Sequence, residues 1–393
     1  MRRTPMLWEV FVRRFEEAFE QYRRQRLTGE EAGELLGLSG RHFRRLCVRY
    51  EEDGVEGLRD RRIGKVSPHR APERELERMH ALYRERYSDF TVKHFHEHLV
   101  KRHGYKLGYT VTRLSLQAAG LVAKAQRRGA HRKKRIRRPM PGMLLFQDGS
   151  THRWIAALGR DLDLVVTLDD ATGEIYSAIL VEQEGTQSSF LGLAETIAEH
   201  GLFGAFYTDR GSHYFFTPKG GGKVDKTQLT QVGRALSQLG ITHIASYSPQ
   251  GRGRMERVFG TLQKRLPQEL RLARIKTVAG ANRYLKERFV PDYNARFAVP
   301  AAEPGSAFVP YVGRPIEDVL CIQEDRRVGA DNCVTWNRRS LQIPPQRHRR
   351  HYVRATVRVH QYPDGRLAIF DGPRCLARFD PTGRESNAPS QAA

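Results

Sequence analysis

The sequence predicts a multidomain α+β chain, with all-α helix-turn-helix modules first, an α/β core in the middle and a small β-barrel last. Three observations predict it. Up to residue 123 the apolar residues keep helical spacing between capping signals. From 140 to 300 short apolar runs that end in turns alternate with helical segments. From 321 to 381 short alternating runs are separated by turns such as Pro363-Asp364-Gly365. The implied boundaries are 1–65 and 66–123 for two helical modules, 124–139 for a basic linker, 140–300 for the core, 301–320 for a connector and 321–381 for the barrel. The Ser/Pro/Ala/Gln-rich tail, 382–393, is expected to be disordered.

In the first module Thr28 is placed to cap a helix, and Glu31 three residues later completes a capping box. Thr28–Ser39 reads as a short helix and turn, and Gly40–Tyr50 as a second helix. There Phe43, Leu46 and Tyr50 share a core face, while Arg41, Arg44, Arg45 and Arg49 point elsewhere. A basic second helix is what the DNA major groove accepts; the plainer reading is an αα-hairpin with a basic surface. A second such unit is expected from helices over Glu73–Arg86, Thr91–His103 and Thr110–Ala119, with Arg113 reaching DNA. His94 and His98 lie four residues apart, a spacing that metal ligands use. No cysteine pair or nearby acid completes a tetrahedral set, so zinc is not predicted.

The charge points to a polyanion. The 393 residues carry a formal net charge of +23, and the pI is near 10.2. Residues 124–138 hold nine basic side chains and no acid, among them Arg132, Lys133, Lys134 and Arg135. Neutralising phosphates with such side chains releases counterions and drives DNA binding; a solvated linker is the bland alternative. No apolar run approaches the roughly 20 residues that span a bilayer, and the N-terminus lacks the apolar stretch of a secretory signal. Cys47, Cys321, Cys333 and Cys375 are scattered, which suits a reducing cytoplasm.

The core should begin with a strand over Leu144–Gln147 that ends in Asp148, followed by strands at Leu164–Leu168 and Glu174–Val181. Asp169-Asp170-Ala171-Thr172-Gly173 reads as the intervening hairpin turn. A helix over Thr186–His200, a strand ending at Thr208-Asp209, a helix over Lys226–Leu239 and a strand at Ile241–Ser246 follow. The glycine-rich loop Ser248–Arg254 then leads into a helix that carries Glu256 in its first turn, and Val278–Asn294 is helical. Asp148, Asp209 and Glu256 are the candidate catalytic acids. Carboxylates at strand ends of an α/β sheet can converge with one on a neighbouring helix. Each alone could be a turn former or a helix-dipole partner.

The order strand-Asp148, strand-Asp209-Arg210-Gly211, then Gly253-Arg254-Met255-Glu256 entering a helix resembles the DDE transposase and retroviral-integrase family. More narrowly it is similar to bacterial insertion-sequence transposases of the ISNCY kind. The likeness runs over most of the chain. It departs in the 46 residues between Asp209 and Glu256, a gap longer than the retroviral one, with the surplus placed in Phe216–Lys223. The resemblance implies an RNase-H-like core in which Asp148, Asp209 and Glu256 hold two Mg²⁺ (or Mn²⁺) ions for phosphoryl transfer. Arg252 and Arg254, with Lys264 and Arg265 extending the face, would contact phosphates near the scissile bond. The implied partners are double-stranded DNA at the terminal repeats and target, and further copies of the chain in a dimer or larger assembly. Gly220-Gly221-Gly222-Lys223 lacks P-loop spacing, so ATP is not implied. A transposase-derived repressor would keep the helical modules without needing the acids. A stand-alone nuclease would need the acids without two DNA-reading modules.

Overall fold

The computed structural model describes residues 5–60, 70–124, 136–219, 222–225, 227–247 and 249–386. Two compact units emerge, Met1–Arg78 and Met79–Ala393. In the first, helix α1 (Pro5–Arg23) precedes α2 (Gly29–Leu35) and α3 (Gly40–Asp53). Aromatic residues of α1 at i, i+4 spacing make its core: Phe15 packs on Phe43 and Tyr50, and Phe19 on Tyr50. The expected capping box is present. The Glu31 amide donates to Thr28 Oγ1 at 3.3 Å, and the Thr28 amide donates to Glu31 Oε2 at 2.7 Å. Between α2 and α3 the chain turns so tightly that a Cβ on Gly33 would lie 2.8 Å from the Leu38 carbonyl oxygen, which is why glycine stands there.

The second unit continues α4 (Glu73–Arg86) and adds α5 (Val92–His103) and α6 (Tyr109–Ala118). Its sheet contains β1 (Leu145–His152), β2 (Leu162–Asp169), β3 (Ile175–Val181), β4 (Ala205–Thr208) and β5 (Thr242–Ala245), in the order β3-β2-β1-β4-β5. The first three strands are antiparallel, and β1, β4 and β5 run parallel. This strand order matches the one that the resemblance to an RNase-H-like core implies. One face, with Phe146, Leu164 and Val166, is covered by α9 (Pro249–Leu262), α10 (Leu266–Leu272), α11 (Val278–Tyr284) and α12 (Val290–Phe297). A π-helical turn at Leu285–Phe289 joins α11 to α12. The other face, with Leu145 and Phe206, packs on α7 (Thr186–His200) and α8 (Gln231–Gln238). Each face of an α/β sheet is buried under helices in this way.

Two expected boundaries move. β1 does not end at Asp148 but continues four residues to His152, because the antiparallel partner β2 stays paired with it to Leu162. The segment expected as a glycine-rich loop is helical from Pro249, a residue suited to a first helical position. Glu256 therefore sits in the second turn of α9 rather than the first.

The helices α4–α6 are fastened to α10. Glu97 accepts from Arg265 at 2.6 and 3.1 Å and pairs with Arg296 at 2.5 Å. Asp89 pairs with Arg271 at 2.7 Å. His94 and His98 both meet Glu269, so an acid 171 residues away from His98 stands where the sequence offered none nearby.

The C-terminal region corrects the expected barrel. Strands β6 (Ile322–Arg327), β9 (Thr356–Gln361), β10 (Leu367–Asp371) and β11 (Arg374–Phe379) form an open antiparallel sheet in the order β11-β10-β9-β6. β7 (Cys333–Trp336) and β8 (Arg339–Gln342) form a separate hairpin. Val334, Trp336, Leu341, Val357, Val359 and Ile369 share one apolar core, so packing of hairpin on sheet, not closure, buries the strands. The tail is ordered further than expected. Asp380 accepts from the Thr382 and Arg384 amides at 2.8 and 3.0 Å, and residues 387–393 lie outside the described ones.

Candidate active site

Two of the three acids lie on or just beyond adjacent strands of the sheet. β1 and β4 pair Leu145 with Phe206 and Phe146 with Tyr207; Asp148 and Asp209 each lie two residues beyond the last of these pairs, Asp209 just past the end of β4. Asp148 is 7% exposed and shares the sheet face of Phe146, since side chains alternate along a strand. Asp209 lies just past β4, and its Oδ1 accepts from the Gly211 amide at 2.8 Å, which holds the carboxylate at the strand end.

A buried polar network sits behind Asp148. Tyr214 donates to Gln147 Oε1 at 2.9 Å, and Gln147 Nε2 donates to Thr167 Oγ1 at 3.1 Å. These contacts fix the strand carrying Asp148 against β2 and the segment after β4. Glu184, in the segment between β3 and α7, closes in from the side. Its Oε1 is 3.5 Å from the Tyr214 hydroxyl and 3.6 Å from His213 Nε2. A Cβ on Gly149 would meet Glu184 Oε2 at 2.1 Å, so the missing side chain next to Asp148 is what admits this carboxylate. Burial first, and then the negative charges of Glu184, Asp209 and Asp148, push the Tyr214 hydroxyl well above its ordinary pKa. Sequence reading missed Glu184 and His213. His213 lay four residues beyond Asp209; Glu184 had no signal except its place between a strand and a helix.

Glu256 approaches from α9 and is exposed. α9 is pinned at two points: Arg254 ion-pairs with the buried Asp170, and Gln263 Nε2 donates to Ser150 Oγ at 3.1 Å. Ser150 is two residues beyond Asp148 on the same strand face, so these pins bracket both Asp148 and Glu256. The three acids are not drawn into one tight cluster. Among the described residues, the one set of three His, Cys, Asp or Glu ligand atoms within 4.8 Å of each other is His94, His98 and Glu269.

The basic residues proposed for DNA divide. Arg254 is 12% exposed at its side chain and pairs with Asp170, a buried carboxylate that requires a cation. Arg265 is likewise taken by Glu97. Lys264 is exposed, whereas the Arg252 side chain lies outside the described residues. On α3, Arg41 and Arg45 are exposed. Arg44 pairs with Glu30 at 2.9 Å on an open surface, and Arg49 turns to the Arg59 carbonyl at 2.5 Å, holding the turn after α3. Arg113, half-buried on α6, meets Gln117 at 3.3 Å. Arg132, Lys133, Lys134 and Arg135 lie outside the described residues. Asp169 and Asp170 are structural: Asp169 accepts from the Thr172 and Gly142 amides at 2.7 and 3.0 Å, and Asp170 from the Arg138 amide at 2.7 Å.

Residues 16–65 match the helix-turn-helix domain family. A protein of Sinorhizobium fredii that carries the transposase name y4bF is 35% identical over 349 residues, covering 88% of this chain and 75% of that protein. The chain belongs to the transposases. The transposase for insertion sequence IS1202 of Streptococcus pneumoniae is 28% identical over 305 residues, 69% of this transposase and 65% of that one. Among solved structures, the HTLV-2 integrase catalytic core domain with magnesium aligns over 37% of this transposase and 83% of its own chain at 15% identity. The simian T-cell lymphotropic virus intasome with a PP2A regulatory subunit aligns over 72% and 96%, also at 15% identity. Their TM-scores, 0.28 and 0.32, are low, and the family membership rests on the sequence relatives. No described helix of the transposase is long and apolar enough to cross a membrane.

Proposed function

We propose that this transposase is a DDE enzyme that binds the terminal repeats of an insertion sequence, cuts at the element ends and joins the exposed 3′-hydroxyl to target DNA. Asp148, Asp209 and Glu256 are its catalytic acids. The observation that supports the reading is that β1 and β4 are parallel neighbours, with Asp148 on the first and Asp209 just past the end of the second, on a sheet whose one face is covered by the Glu256 helix.

The donor set fits hard divalent cations, Mg²⁺ or Mn²⁺, because it consists of carboxylate oxygens. Asp148 and Asp209 would hold the ions with Glu256, and Glu184 adds a fourth carboxylate beside Gly149. When bound, a pair of such cations activates the attacking hydroxyl and stabilises the leaving oxygen. The protein's own groups prepare the site. The Gln147–Tyr214–Thr167 network keeps Asp148 on a rigid strand, and the Arg254–Asp170 pair keeps α9 in place. Arg41 and Arg45 of the helix-turn-helix are free to approach phosphates or base edges. Two element ends call for at least two copies of the chain.

The test is strand transfer with Mg²⁺ on labelled DNA carrying the element ends, comparing wild type with Asp148→Asn and Glu256→Gln. Joined product from the wild type alone supports the assignment. End binding without product from any of the three proteins favours a DNA-binding repressor. Cleavage without joining favours a nuclease.

A further inference from the structure

We propose that His94, His98 and Glu269 form a site for a zinc-type transition-metal dication, separate from the catalytic acids, that fastens α5 to α10. The two histidines stand four residues apart on one face of α5, and the acid comes from the facing helix. His94 Nε2 and His98 Nε2 each lie 2.7 Å from the same oxygen, Glu269 Oε1. Two imidazoles from one helix and a carboxylate from another are a donor set that zinc takes, with a fourth position left for water.

Burial separates this set from an ordinary surface cluster. His94 is 2% and His98 7% exposed, and the Glu269 side chain is 15% exposed. Phe90 stacks on His94 at 4.2 Å between ring centroids, and Phe90 and Tyr87 meet His98 at 5.3 and 5.6 Å. These aromatic walls fix both rings with their Nε2 atoms toward one point. Neither Nδ1 has a hydrogen-bond partner among the described residues, so that shared point is where both rings direct their polar contact.

Charge gives the site its reason. A carboxylate removed from water needs a cation. Arg102, exposed, comes no closer to Glu269 than 3.9 Å, and Arg265 is occupied by Glu97. His94 and His98 meet the carboxylate directly, and a dication where the three ligand atoms converge would give it a full positive charge. At metal–ligand distances of about 2.0–2.1 Å the ligand atoms would stand roughly 3.3 Å apart, so the 2.7 Å contacts need open only slightly. Zinc, cobalt and nickel suit imidazole with carboxylate; magnesium does not. The metal would lock the helices α4–α6 to the helix that follows the Glu256 helix.

The experiment uses the full chain as Asp148→Asn/Asp209→Asn, which weakens metal binding at the proposed catalytic acids. After chelator treatment and dialysis, Zn²⁺ and Co²⁺ are titrated by calorimetry and by cobalt absorption. The expected result is one tightly bound ion per chain, a tetrahedral-type cobalt spectrum and a raised unfolding midpoint. Adding His98→Gln or Glu269→Gln should weaken binding at least tenfold. A chain that takes up no zinc and gives no such cobalt spectrum overturns the proposal whether or not those variants fold. Binding unchanged in folded His98→Gln also overturns it. Because both readouts are independent of DNA, failure here leaves the transposition reading untouched.

Discussion

Arg254→Ala distinguishes a structural arginine from a DNA contact. In the fold, Arg254 neutralises Asp170, which is 0% exposed, and also donates to the Asp170 carbonyl at 3.2 Å. Removing one member of a buried pair strands the other and costs about 3–5 kcal/mol. At roughly 2–4 °C per kcal/mol for a domain of a few hundred residues, the midpoint should fall by about 10 °C. Asp170→Ala/Arg254→Ala removes the stranded charge. It still loses the bond from the Arg138 amide, worth about 1–3 kcal/mol, so the double variant should be more stable than Arg254→Ala by about 2 kcal/mol. Urea unfolding measures both variants, and DNA affinity against salt concentration is measured beside it. An unchanged midpoint, with the salt slope falling by about 0.9 as for one lost phosphate contact, would refute the structural role.

Four further outcomes are expected. Asp148→Asn should abolish strand transfer, keep end binding and leave the midpoint unchanged or raised, because one of the carboxylates that act on Tyr214, with Glu184 and Asp209, loses its charge; a large loss of stability would show that Asp148 serves the fold. Glu184→Gln should raise the Mg²⁺ requirement roughly 10–100-fold, as losses beside metal ligands do, and an unchanged Mg²⁺ titration would place Glu184 outside the site. Thr28→Ala should weaken protection of the α2 amides against hydrogen exchange by about 1 kcal/mol, with the α10 amides unaffected as control. Burial pushes His360 down from 6.5 to about 3, so the unfolded chain takes up the proton first. Stability is then full above pH 6.5 and falls as pH drops toward 3, by about 2 kcal/mol at pH 5 at 1.36 kcal/mol per unit; His360→Phe should flatten the unfolding curve over that range.

Local signals were sufficient for most elements. The capping box of Thr28 and Glu31 and the strand–helix alternation from Leu145 to Ala245 rest on contacts within a few residues. The apolar strands that lead to Asp148 and to Asp209 were also foreseeable, because each is a local apolar run. The extension of β1 past Asp148 was not, since it depends on where β2 stops.

By itself the sequence determined the class of the protein: a basic chain with a capped helix-turn-helix, an α/β core and acids in transposase order. Tertiary structure alone decided which charges are free. Arg254 and Asp170, Arg265 and Glu97, and Glu269 with His94 and His98 meet across 84, 168 and more than 170 residues. Nothing in the local pattern separates an arginine that turns inward from one that faces DNA. Burying a carboxylate demands a partner wherever the fold brings one near, and the fold, not the neighbouring sequence, sets which arginine or histidine that is.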